Sequence, residues 1–126
     1  MKEVVLDSSA WIEYLADGKK SEPVKKYLKT PQNNINLPTI VSYEVYKWVK
    51  RERGEAEAIQ VVAQMERLSS KIIDLDQSLA LYAADLSLKY KLPMADAFVY
   101  ASTMISDATL ITMDEHFKDL PFVQLI

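Results

Sequence analysis

Asp7, Glu44, Asp96 and Asp114 are spread over nearly the whole chain, and each stands where a strand-like or turn-like stretch gives way to a helix. Carboxylates this far apart in sequence can act together only if the fold gathers them. Gathered, they form a cup of oxygen ligands for a hard cation such as Mg²⁺ or Mn²⁺, which is commonly held by a few carboxylates with waters and substrate phosphates. Without a cation they repel one another, and some keep their protons, because like charges in a shared site raise a carboxyl pKa. With one bound, such a site can deprotonate and orient a water and offset the charge that builds on a phosphodiester.

The elements around these acids decide whether they can meet. Asp7 follows Val4, Val5 and Leu6, and Asp114 follows Leu110, Ile111 and Thr112, so both are expected at the carboxyl ends of buried strands. That edge is where open α/β sheets bind ligands. Glu44 follows Ser42, a natural N-cap, and Asp96 follows Pro93, a residue suited to opening a helix, which predicts both acids in first helical turns. Each acid alone has an ordinary explanation: a turn residue for Asp7, an N-cap for Asp114, and a dipole-favoured first-turn acid for Glu44 and Asp96. Their joint occurrence shifts the balance toward function. The acids Asp74, Asp76, Asp85 and Asp107 are assigned to caps, turns or exposed faces.

With 126 residues, 49% of them hydrophobic, the chain has the size of one domain spanning 1–126 and can bury a core without staples. It has no cysteine, which removes disulfides, thiolate nucleophiles and sulfur-based zinc sites. His116 is the sole histidine, so chemistry that needs two histidines is excluded unless a partner supplies more; it is expected on the surface or in a turn. A net charge of −3 argues against coating nucleic acid by bulk electrostatics, although bound ions would change that balance locally. No apolar run is long enough to span a bilayer and no signal sequence is recognisable, a pattern compatible with a cytoplasmic address and no membrane.

Strand and helix signals alternate along the chain. Ser8 and Ser9 are expected to cap a helix through Trp11, Ile12 and Leu15, ended by Gly18; a short helix around Val24, Tyr27 and Leu28 follows. Pro31 to Asn34 is turn chemistry, and Ile35 to Val41 is a strand interrupted by Pro38. Helices over Tyr43 to Arg53 and through Ala58, Val61, Met65 and Leu68 suggest a hairpin broken at Gly54. A strand at Lys71 to Asp74, a helix capped by Asp76, a helix from Met94 to Ile105, a strand Thr109 to Thr112, a turn near Glu115 to Phe117 and a strand Phe122 to Ile126 complete the reading. The alternation predicts an α/β fold, a central mostly parallel sheet flanked by helices.

The segments VVLDSSAWIEYL, SYE, LPMADAFVYAS and LITMDEHF carry these acids in order and together resemble the PIN-domain ribonucleases, and among them the VapC-type toxins of toxin–antitoxin pairs. The resemblance covers essentially the full length. It implies a compact α/β/α domain and a Mg²⁺- or Mn²⁺-dependent endoribonuclease that leaves a 5′-phosphate and a 3′-hydroxyl. Asp7, Asp96 and Asp114 map onto the family's metal-binding acids and Glu44 onto its remaining acid, while Thr112 matches a hydroxyl able to orient a carboxylate or the attacking water. The partners it implies are an RNA substrate, a VapB-type antitoxin whose C-terminal segment lies in the toxin's groove, and a second copy in a homodimer. Where many relatives carry a further acid two residues beyond the last metal-site Asp, this chain has His116.

On the predicted helix bearing Glu44, Lys47 and Arg51 share its face and could hold a substrate's phosphates. The plain alternative is a Glu44–Lys47 helix pair on a solvated face, worth roughly 0.2 to 0.5 kcal/mol. Trp11, Tyr14, Tyr43, Tyr46 and Trp48 could stack on bases, though aromatics at helical spacing more often serve a core or a subunit interface. Other readings fare worse. A haloacid-dehalogenase-type phosphatase needs a second Asp two residues after the first, where Ser9 stands, and a receiver-like module needs paired acids and a late lysine that are missing. A non-toxin RNA-processing nuclease, or a PIN-like RNA-binding module without activity, stays open as the alternative.

Overall fold

The computed structural model describes residues 2–126. Strand β1 (Lys2–Leu6) ends in Val4, Val5 and Leu6, none of which retains exposed surface. Such an unbroken apolar run marks a strand covered on both faces. Parallel pairing joins β1 to β2 (Asn33–Pro38) on one side and to β4 (Thr109–Thr112) on the other. Strand β3 (Lys71–Ile73) extends the sheet beyond β2, and β5 (Val123–Leu125) extends it beyond β4, both in parallel.

The strand order β3-β2-β1-β4-β5 sets the position of the site. From β1 the chain moves outward to β2 and β3, then returns to the middle and lays β4 and β5 on the other flank. The direction of winding therefore reverses between β1 and β4, and open α/β sheets bind ligands outside the strands' carboxyl ends at such a switch point. Asp7 and Thr112 stand at those two ends. The Asp7 amide donates to the Ile111 carbonyl at 3.0 Å, tying the end of β1 to β4.

Six helices flank the sheet in an α/β/α arrangement: α1 (Ser8–Leu15), α2 (Ser21–Lys29), α3 (Thr39–Arg53), α4 (Glu55–Leu68), α5 (Gln77–Tyr90) and α6 (Met94–Ile105). Among the described residues no helix is long and apolar enough to cross a membrane. Trp11, Tyr100, Phe117 and Leu37 are the bulky members of one continuous core. Helix α6 has the predicted bounds, and Asp76 caps α5 as predicted by accepting from the Leu79 amide at 2.9 Å. Gly54 breaks the α3–α4 hairpin at φ 95°, a conformation that favours glycine.

Several boundaries differ from the sequence expectation. Strand β2 ends at Pro38 rather than Val41, because Pro38 serves as the N-cap of α3 and Ile40 and Val41 join that helix. As a result Ser42 is not a cap, and Glu44 lies in the second turn instead of the first. Ser8 and Ser9 lie inside α1, whose N-cap position is Asp7, with the Asp7 carbonyl accepting from the Ala10 and Trp11 amides. Helix α1 stops at Leu15, and Asp17, at φ 52°, makes the reversal expected of Gly18. The last strand is limited to Val123–Leu125.

Candidate metal centre

Asp7 occupies an N-cap position without capping, because its side chain turns away from the helix. Its Oδ2 accepts from the Thr112 hydroxyl at 2.8 Å and from the Ser9 hydroxyl at 3.2 Å. The Thr112 hydroxyl also accepts from the Asp114 amide at 2.9 Å, and the Ser9 hydroxyl accepts from the Met113 amide at 3.0 Å. The two hydroxyls thus bolt the carboxyl end of β1 to the loop after β4. Thr112 is fully buried, and Asp7 is only 3% exposed. Removing that hydroxyl leaves the Asp114 amide without its partner and the buried Asp7 oxygen with only the longer Ser9 bond, so Thr112→Val is expected to destabilise the protein by about 1–3 kcal/mol. A lowered urea midpoint would reveal it, and an unchanged midpoint would mean the brace contributes nothing.

The other acids arrive from separate elements. Asp96 lies in the first turn of α6, Asp114 caps the 3₁₀ turn Glu115–Phe117 by accepting from the His116 amide at 2.9 Å, and Glu44 projects from α3. A contact in the core sets the spacing of α6 and the turn: the Tyr100 ring packs against Phe117 with centroids 6.4 Å apart, and its hydroxyl donates to the Pro121 carbonyl at 2.9 Å. His116, expected as a bystander on the surface, is exposed and lies in a turn, yet its ring reaches into the cup. Its Nδ1 lies 2.9 Å from Asp96 Oδ2 and 3.2 Å from Asp114 Oδ1.

The electrostatics show that these groups share one field. Burial pushes the Asp7 carboxyl up against the pull of its Thr112 hydrogen bond, and the charge of Asp114 adds to the rise. Burial likewise raises Glu44, reinforced by the charges of Asp7 and Asp96. Asp96 is raised to about 6, by burial and then by the charges of Asp114 and Asp7. The His116 pKa is raised as well, its proton held by the charge of Asp114 and the hydrogen bond to Asp96. Glu44 Oε1 is buried with no hydrogen-bond partner. A buried carboxylate oxygen without a donor, beside acids that repel it, is the arrangement a cation would satisfy, and an all-oxygen acid set suits a hard divalent ion.

Beside the cup, Ser8, Tyr43, Glu44, Lys47, Trp48 and Arg51 line a groove of about 280 Å³. Lys47 and Arg51 are therefore neighbours of Glu44 in space as well as on the helix. Lys47 does not pair with Glu44; its Nζ rests over the Tyr43 ring, 5.6 Å from the centroid, and Arg51 meets Glu52 at 3.4 Å. Lys50 and Arg53 are engaged with Glu55 and Glu57. Trp11 is core, whereas Tyr43 is exposed and available. Two larger hollows of about 510 Å³ lie away from the acids, one beside Tyr82 and Ile105 and the other beside Tyr27 and Gln124.

Ser9 and His116 are the site neighbours that sequence reasoning misjudged. Each lies two residues after a site acid, the only local signal that could have found them.

A search of curated proteins found no match. Among solved structures, a toxin–antitoxin complex from Klebsiella pneumoniae superposes with a TM-score of 0.76 at 23% identity, covering 96% of this chain and 95% of that one. VapC20 of Mycobacterium tuberculosis, described as a sarcin–ricin loop cleaving toxin, gives 0.76 at 17% identity over 97% and 98% of the two chains. VapBC2 of Rickettsia felis, bound to a promoter DNA fragment, gives 0.73 at 18% identity over 98% and 97%. At these identities the likeness establishes the fold. The PIN domain family model matches residues 4–123, which takes in every acid of the cup, and the chain belongs to the PIN domain family.

Proposed function

We propose that this protein is a metal-dependent endoribonuclease that hydrolyses RNA phosphodiester bonds, and that it is the toxin of a VapBC-type pair. What supports the reading is that the charges of Asp7, Asp96 and Asp114 all act on Glu44, that Asp96 and Asp114 come within 4.8 Å of each other, and that the buried Glu44 Oε1 is unpartnered. Asp7, Asp96 and Asp114 would hold Mg²⁺ or Mn²⁺, with Glu44 contributing directly or through water. An ion held there would supply an activated water and positive charge opposite the scissile phosphate. Thr112 keeps Asp7 in one orientation, and Asp7 as a carboxylate acceptor keeps that hydroxyl pointed inward. Lys47 and Arg51 would hold the phosphates of the strand along the groove, while Tyr43 offers an exposed ring to a base.

The partners follow from the same relatives and from two surfaces. Ile12, Leu15, Trp48 and Val61 border a second groove, of about 220 Å³, where α1 meets α3 and α4. Arg53, Glu57, Gln60 and Gln64 line it as well, so a VapB-type antitoxin segment of mixed polar and apolar character would fit it. Ile72, Tyr82 and Ile105 are exposed around one of the larger hollows and suit a second copy of the chain in a homodimer.

The test is purified protein incubated with structured and unstructured RNAs under Mg²⁺, Mn²⁺ or EDTA. Cleavage with either ion, abolished by the chelator and restored by excess metal, is expected; cleavage that survives chelation sinks the reading. In the same system Lys47→Ala and Arg51→Ala should each weaken RNA binding across sequences and lower the salt slope by about 1.

A further inference from the structure

His116 is the member of the cup to which the reading above gives no role. Its Nδ1 lies 2.9 Å from an oxygen of Asp96 and 3.2 Å from an oxygen of Asp114. An octahedral ion with ligand bonds of about 2.1 Å separates neighbouring donors by about 3.0 Å. The nitrogen therefore already stands, relative to both carboxylates, where an adjacent ligand of one shared ion would stand. One donor atom from each of the three residues falls within 4.8 Å of the other two.

The surroundings keep the ring there. The His116 amide is bonded to Asp114 Oδ1 at 2.9 Å, and the next residue, Phe117, is fully buried against Tyr100 of the helix that bears Asp96. The imidazole is thus anchored to both carboxylates through backbone and core, while the ring itself stays open to solvent and to an arriving ion.

We propose that His116 supplies a nitrogen ligand, through Nδ1, to the ion held by Asp96 and Asp114, so that the centre is a mixed nitrogen and oxygen set preferring Mn²⁺ to Mg²⁺. The inference rests on the metal-dependent reading above. Its chemical basis is that imidazole suits transition-metal ions, whereas Mg²⁺ keeps to hard oxygen donors and waters. On binding, the Nδ1 proton leaves to solvent and the neutral ring keeps its other proton on Nε2. The competing role is an ion-pair partner, in which the charged ring bridges the carboxylates and departs when metal arrives.

Mn²⁺ titrated into the purified protein and followed by electron paramagnetic resonance separates these roles without any RNA. Bound Mn²⁺ is expected to show the spin-echo modulation of a coordinated imidazole nitrogen. In His116→Gln, which retains an amide donor for the carboxylates on an exposed turn, that modulation should vanish. Mn²⁺ affinity should fall about tenfold or more, and Mg²⁺ affinity, read by competition, should hold. Mn²⁺ that binds wild type, is lost in Asp96→Asn and carries no nitrogen signal overturns the ligand role of His116 and leaves the metal centre standing. Wild-type protein that binds no Mn²⁺, or Asp96→Asn protein that binds it equally well, overturns both.

Discussion

Asp96→Asn is expected to lower RNA cleavage by on the order of 10³-fold while the protein stays folded, because a catalytic ion supplies several kcal/mol of transition-state stabilisation. The substitution is nearly isosteric and preserves a polar contact for His116, so what it removes is charge. Asp96 sits where burial and the charges of Asp114 and Asp7 already work against ionisation. An ion that overcomes that opposition binds through it. Asp7→Asn should behave alike, since Asn can still accept from Thr112 and Ser9 but brings no charge. Single-turnover cleavage of a labelled RNA at saturating Mn²⁺ measures the loss. A variant that keeps a tenth or more of the wild-type rate takes its residue out of the ion's ligand set.

The same Asp96→Asn variant is expected to be more stable than wild type when metal is absent. The Asp96 carboxyl stands at about 6 in the fold against 3.8 as its ordinary value. Above pH ~4 the unfolded chain gives up this proton while the folded one retains it. Stability contributed by the protonated form is therefore lost as pH rises from about 4 to about 6, and above that the fold carries the full opposition to the charge. His116 acts in the other direction: its raised pKa supports the acids at low pH, and that support fades as pH climbs through it. The variant's advantage should thus be greatest near pH 8 and vanish near pH 4.

Solvent reaches the cup, so only part of the Asp96 shift becomes stability, about 1–2 kcal/mol. For a chain of this size that is a rise in Tm of roughly 3–8 °C. Saturating Mn²⁺ reverses the ranking, since an ion at about 100 times its Kd stabilises wild type by about 2.7 kcal/mol and the variant by far less. Melting curves with EDTA and with Mn²⁺ at both pH values check the prediction. Wild type that outranks the variant in EDTA at pH 8 would mean the acids do not strain the metal-free fold.

The parts of the molecule legible from sequence were those where a local signal and the global fold agree. Helix α6 was readable at about its observed bounds, because Pro93 opens it and apolar spacing carries it to Ile105. Asp76 was readable as a cap because capping is a contact three residues long. The start of α3 was not. Pro38 looked like a defect within a strand, when it ends the strand and caps the helix, and this moved Glu44 one turn inward. Ser9 looked like a cap and proved to be a brace, since its partner Thr112 lies 103 residues away.

The sequence by itself determined which chemistry was available. With no cysteine and one histidine, acids at strand ends and helix starts left oxygen ligation of a hard cation as the coherent reading, because side-chain type and local propensity are written residue by residue. Only the tertiary structure decided which groups meet. The reversal of strand order between β1 and β4 brings Asp7 to the loop after Thr112, and the packing of Tyr100 on Phe117 swings His116 onto Asp96. Contacts of that kind depend on how the chain closes over long separations, which no window of neighbouring residues encodes.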